Sequence, residues 1–134
     1  MKKLLFVTLI SMLFLTACSS EQKYSSANEA INSLDNNIAQ IESSGDLDGV
    51  QPVSYKLNND EIIEVYDFGS EDQRDISKKH FEESIQLLSS HAPIVYPSGQ
   101  YLVLYYSHVD SEARTPKLNE TEYGVRIEKA LEGL

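Results

Sequence analysis

The chain has 134 residues, with 11 Lys and Arg set against 21 Asp and Glu for a formal charge of −10. That length fits one small domain, and the acidic balance excludes nucleic acid as a partner, because such binding needs a basic footprint. A single cysteine excludes an intrachain disulfide, so the fold must stand on its own apolar core.

Lys2 and Lys3 precede a mostly apolar run from Leu4 to Phe14, broken by Thr8 and Ser11. The run is too short to cross a bilayer, which takes roughly 20 residues. A basic start, a short apolar core and a small-residue exit are the marks of a removable secretory signal. The exit is Leu15-Thr16-Ala17-Cys18, which resembles the lipobox of bacterial lipoproteins. The resemblance implies that the Cys18 thiol receives a diacylglycerol and that cleavage falls just before it. It also implies attachment to the cell membrane on its extracytoplasmic face, through a cysteine carrying palmitate-type acyl chains. Two chains hold stably where one would not, since each buried CH₂ contributes about 0.8 kcal/mol. The expected organisation is a signal peptide at 1–17, a lipidated tether at 18–26 and one domain at 27–134. Removing Lys2 and Lys3 from the 11 basic residues leaves 9 against 21, or −12 for the mature chain.

Ser19 to Ser26 is polar and lacks an apolar period; eight extended residues reach at most about 26–29 Å. Next, Ala27, Ala30, Ile31, Leu34, Ile38 and Ile41 recur at steps of three and four, which predicts one helix with those residues on a single face. Ser26 and Glu29 make its capping box, and Ser43-Ser44-Gly45 closes it. Asp46-Leu47-Asp48-Gly49 lacks the ligand spacing of a calcium loop and reads as a turn.

Val53, Tyr55 and Leu57 alternate with Ser54 and Lys56, the period of a half-buried strand. Asn58-Asn59-Asp60 supplies a turn, and Glu61 to Phe68 is apolar on both faces, as a central strand of the resulting hairpin would be. Ser70 and Gln73 cap a helix running from 71 to the mid-80s, with Glu71 and Asp72 favourably placed in its first turn. Ile76, His80, Ser84 and Leu87 form one row of that helix, with Phe81, Ile85 and Leu88 beside it. Pro93 makes Ile94-Val95-Tyr96 an edge strand or extended loop, and Pro97-Ser98-Gly99 a tight turn. Gln100 to Tyr106 is the clearest strand, expected at the sheet centre with both faces covered. Ser107 to Leu118 is a polar loop of about a dozen residues, at the length where loops become functional or disordered. Asn119 with Glu122 caps a last helix, with Tyr123, Ile127, Ala130, Leu131 and Leu134 on its apolar face.

The run Glu61-Ile62-Ile63-Glu64-Val65-Tyr66-Asp67-Phe68-Gly69-Ser70-Glu71, then a helix, then Ala92-Pro93 through Tyr105-Tyr106, is similar to small lipoproteins of Bacillus-like bacteria. The likeness spans roughly residues 53–106 and agrees with the leader. It implies a fold and a location and carries over no functional residue.

The expected fold is α+β, a small antiparallel sheet of three or four strands with helices packed mainly on one face. The N-terminal helix is the candidate for the second face.

Catalysis finds little purchase. A hydrolytic triad needs a nucleophile, a base and an orienting acid, and none of His80, His91 and His108 lies near a G-x-S-x-G elbow. Tyr96-Pro97-Ser98-Gly99 does not supply one. The histidine spacing fits no zinc signature, Glu82 and Glu83 diverge on a helix, and no phosphate-cradling loop occurs. The expectation is a non-enzymatic binding or protein-interaction module of the cell envelope, with Cys18 as its lipidation site and no catalytic residue, metal or cofactor. Its partners are the membrane, through the lipid, and a protein of the envelope; no signal for an oligomeric state is present. Two alternatives are a small envelope hydrolase with His91 or His108 as general base, and a cation- or metal-binding surface protein.

Overall fold

The computed structural model describes residues 21–88 and 91–134; the leader, Cys18 and the Ser89-Ser90 pair lie outside them. In chain order the elements are α1 (Ala27–Asn32), β1 (Ala39–Ile41), β2 (Val53–Lys56), β3 (Ile62–Asp67), α2 (Glu71–Gln86), β4 (Ile94–Ser98), β5 (Tyr101–Tyr106) and α3 (Gly124–Leu131), with a short 3-10 turn at Leu118–Glu120 before α3. The strands form one five-stranded sheet in the order β1-β2-β3-β5-β4, antiparallel at every pairing. The fold is therefore α+β with an antiparallel sheet, and it has one strand more than expected.

The extra strand comes from the segment expected to continue the first helix. Ser26 caps α1 as its spacing predicts, its hydroxyl accepting from the Glu29 amide at 3.1 Å. The helix then ends at Asn32. The Ser33 hydroxyl bonds back to the Ala30 carbonyl at 2.6 Å, and the Asp35 carboxylate accepts from the Asn37 amide at 3.0 Å. Short polar side chains that bond their own backbone compete with helix in this way. The chain turns, and Ala39, Gln40 and Ile41 pair with Lys56, Tyr55 and Ser54.

Register assigns the faces. Tyr55, Ile63, Tyr105 and Ile94 line up across β2, β3, β5 and β4, as do Val53, Val65, Val103 and Tyr96. These residues meet Ala27, Ala30 and Ile31 of α1 and Tyr123, Ile127 and Leu131 of α3 in the larger core. Ile31, Ile63, Val103 and Ile127 are fully buried there, as is Tyr105, and each such aliphatic side chain contributes about 1.5–3 kcal/mol. The opposite face carries Tyr66, Phe68, Leu102 and Leu104 under Phe81 of α2, with Leu47 and Val50 at its margin. So α1 and α3 share one face and α2 takes the other, where the N-terminal helix was expected.

Both faces of β5 are covered, as its two-sided apolar pattern requires, although β3 is the middle strand. Pro93 precedes an edge strand, as expected. That strand continues through Pro97 to Ser98 before turning at Gly99-Gln100. Proline is tolerated there because one side of β4 has no partner strand.

The chain has eight tyrosines and no tryptophan. Several place an apolar ring in the core and satisfy the hydroxyl at its margin. Tyr55 donates to Asn28 Oδ1 at 2.8 Å, Tyr96 to the Gly124 carbonyl at 2.9 Å, and Tyr105 to Glu61 Oε1 at 2.6 Å. Tyr105 also meets Tyr123 edge-on, with ring centroids 6.5 Å apart.

The last helix starts later than its expected cap. Asn119 sits inside the 3-10 turn, Tyr123 holds the cap position with no side-chain cap bond, and the Thr121 hydroxyl, two residues earlier, accepts from the Gly124 amide at 2.9 Å. The 107–117 loop is pinned at both ends. The His108 amide donates to Glu61 Oε2 at 2.7 Å, and the Ala92 amide to the Arg114 carbonyl at 3.0 Å. Contacts begin ahead of α1, because the Lys23 and Tyr24 amides both donate to the Gly133 carbonyl, at 2.7 and 3.0 Å.

Candidate binding groove

α2 meets the sheet mainly over β5. Its sheet-facing side is Ser77, fully buried, with Phe81 and Ile85 partly so. The row Ile76, His80, Leu87 instead faces solvent, with Ile76 50% and Leu87 88% exposed. The small Ser77 lets the helix approach closely. The Asp48 carboxylate stands near its hydroxyl and also meets His80 Nδ1 at 2.8 Å. Asp48 belongs to a two-residue turn at Asp48-Gly49, closed by paired bonds between Leu47 and Val50. Both turn residues have positive φ, 51° and 82°, the geometry that favours Asp-Gly. The expected turn is thus present, and through Asp48 it braces α2.

Beyond α2, on the same face, no helix among the described residues covers the β1-β2-β3 portion of the sheet. Register sets Ile41, Ser54, Glu64 and Leu104 in one row, and Ala39, Lys56, Ile62 and Tyr106 in the next. Ile41, Ser54, Ile62, Glu64 and Tyr106, with Glu42 and Ser44 at the rim, line a groove of about 370 Å³. Such a volume lies within the range of small-ligand sites.

Glu64 is the centre of this groove. The Tyr66 and Tyr106 hydroxyls both donate to its Oε2, at 3.1 and 3.4 Å. No donor among the described residues bonds Oε1. Burial pushes the carboxyl above the ordinary carboxylate range, and the two tyrosine bonds only partly offset that. Burial first, and the neighbouring Glu64 charge second, raise Tyr66 and Tyr106 in turn, so both stay neutral donors. Ser54, buried in the floor, shares its hydroxyl with Ser43 at 2.8 Å and not with Glu64. The groove therefore holds a carboxylate fixed by two tyrosine hydroxyls beside Ile41 and Ile62.

Glu61 makes a useful contrast. It is 3% exposed and accepts from Tyr105, the His108 amide and Asn59. Burial works to raise its pKa, but these bonds and one from Ser107 outweigh it and hold the carboxyl below its ordinary value. All its acceptors face inward, so it acts as a joint between β3, β5 and the following loop.

The histidines singled out from sequence do not converge. His80 pairs with Asp48 on α2, while His91 and His108 are exposed. His108 engages Glu61 through its backbone amide alone. Among the described residues no group of three His, Cys, Asp or Glu stands close enough to hold a metal ion. Cys18 lies outside those residues. Sequence reasoning missed Glu64, although a charge inside an apolar central strand was its signal. A second cavity, of about 350 Å³ between β4 and α3, is bordered by the exposed Glu128 and Glu132, and the hydroxyl of its Tyr96 donates to the Gly124 carbonyl.

No family model, curated protein or solved structure matches the chain.

Proposed function

We propose that the chain is an extracytoplasmic lipoprotein, held to the cell membrane by lipid on Cys18, and that its acidic domain is a non-enzymatic binding module. The groove around Glu64 is its binding site. The observation that carries this reading is the half of one sheet face that no described helix covers, where a carboxylate fixed by two tyrosine hydroxyls stands beside Ile41 and Ile62. Apolar walls with a few fixed polar groups are the usual make-up of a ligand site. The lipobox-like Leu15-Thr16-Ala17-Cys18 supports the location.

The hydrolase alternative would need a base beside a nucleophile; the hydroxyls bonded to Glu64 are tyrosine phenols kept neutral by burial, and His91 and His108 are not among the groove's lining residues. A fragment screen by NMR on the full lipidated chain in detergent micelles tests the binding reading. Shifts should cluster at Ile41, Ser54, Ile62, Glu64 and Tyr106. Hits that all map elsewhere, or turnover of ester or amide substrates that His91→Ala or His108→Ala abolishes, would overturn it.

A further inference from the structure

We propose that the groove takes a small organic cation, a primary ammonium on a short apolar body, with Glu64 Oε1 as its counter-charge. This inference rests on the groove being the binding site and adds the class of ligand.

Charge and geometry lead to it together. Glu64 is a partly buried carboxylate with both tyrosine bonds on one oxygen, and the other has no donor among the described residues. None of the ion pairs among the described residues involves it, and no basic side chain acts on its titration. The other charges near the groove are mostly of the same sign. Glu42 is at the rim, and the charge of Asp46 is felt at Tyr66. Lys56, beside Ile62 in the register, is engaged by Asp60 at 2.9 Å. A buried charge without a partner is costly, and an opposite charge within about 4–6 Å relieves it.

The form of the cation follows from the lining. Calcium takes 6–8 oxygen ligands, and the groove supplies two carboxylates, Glu42 and Glu64, one of them out at the rim. An ammonium has three donors and needs fewer partners. Glu64 Oε1 and the Ser44 and Tyr106 oxygens are acceptors of that kind, while Ile41 and Ile62 offer apolar surface to the carbon chain. The groove's volume of about 370 Å³, at the low end of small-molecule sites, admits a short alkyl body.

The experiment is titration calorimetry on the full lipidated chain in detergent, using hexylammonium as probe and 1-hexanol as its neutral counterpart. Each variant's fold is checked by circular dichroism. Hexylammonium should bind wild type, and 1-hexanol at least about tenfold more weakly, the ratio set by one modest charge interaction. Glu64→Gln, which keeps the side-chain shape and an acceptor for the tyrosines, should lose at least about tenfold for hexylammonium and leave hexanol unchanged. Tyr106→Phe serves as the second variant and should weaken the amine by a smaller factor.

Equal binding of amine and alcohol overturns the cation inference, as does Glu64→Gln binding the amine like wild type. Alcohol binding with groove shifts would then leave the binding-module reading standing. Failure of the folded wild type to bind the amine at millimolar concentration also overturns the inference, whereas the fragment screen alone decides the wider reading.

Discussion

Glu61 and Glu64 occupy one stretch of chain, and their surroundings push them in opposite directions. Glu61 is held below the usual carboxylate range because bonds from Tyr105, Ser107, the His108 amide and Asn59 outweigh its burial. Its folded pKa lies below its unfolded one, so its stabilisation is full above the unfolded pKa and is lost as pH falls through the folded value. Glu61→Gln should cost about 2 kcal/mol in urea unfolding at pH 7, the scale of hydrogen bonds to a charged group. The gap from wild type should close on acidification; a gap that does not depend on pH would mean the charge is not what matters. Glu64 is raised, chiefly by burial, so its ionised form costs stability above the folded pKa, and the cost disappears as pH falls through that value. Glu64→Gln should therefore raise the urea midpoint at pH 7 and give no gain in acid. A lower midpoint at pH 7 would show that the tyrosine bonds outweigh the burial. Residues that cost stability while fixed in an open groove fit the trade between stability and function.

At the scale of elements, α3 depends on one close approach. A Cβ on Gly124 would stand 2.4 Å from the Leu118 carbonyl oxygen and 2.3 Å from the Thr121 hydroxyl, so the 3-10 turn and the helix start leave no room for a side chain. Overpacking of this kind costs about 1–3 kcal/mol. Gly124→Ala should lie at the upper end, because the nearest obstacles include backbone and the Thr121 hydroxyl would be displaced with it. Thermal unfolding checks this, and an unchanged midpoint would mean that the 3-10 turn moves freely. The same region shows how much was legible in sequence. β2, β3, the cap of α2 and the two-sided β5 follow from local period and capping chemistry, which are visible one segment at a time. The steps from Leu34 to Ile38 to Ile41 fit a helix equally well. What decides against it is Asp35 turning the chain, and the pairing of Ala39–Ile41 with β2. Pairing between distant segments leaves no local mark. Likewise, nothing within α2 states that its buried contact is Ser77 rather than the more apolar Ile76 row. The candidate groove was hidden for the same reason, since Ile41, Ser54, Glu64 and Tyr106 come together only through register.

At the scale of the whole molecule, the proposed tether meets a domain that starts earlier than its first helix. The Lys23 and Tyr24 amides bond the Gly133 carbonyl, and Tyr24 packs against the larger core. Five residues from Cys18 to Lys23 reach at most about 18 Å, shorter than the 18–26 spacer would allow. A lipid on Cys18 would thus hold an acidic domain close to the bilayer, where anionic headgroups repel it rather than draw it down. Membrane association should then depend on the acyl chains alone and be insensitive to salt. In cells fed labelled palmitate, wild-type chain should carry label and sediment with membranes, including after a high-salt wash. Cys18→Ser should carry none and leave the membrane fraction, or persist as a precursor with its leader uncut. Its urea midpoint, measured on any released form, should match that of wild type. A Cys18→Ser chain that is cleaved at the same bond and remains in washed membranes would refute the tether. Release of the wild-type chain by salt would instead show that charge, not lipid, holds it there.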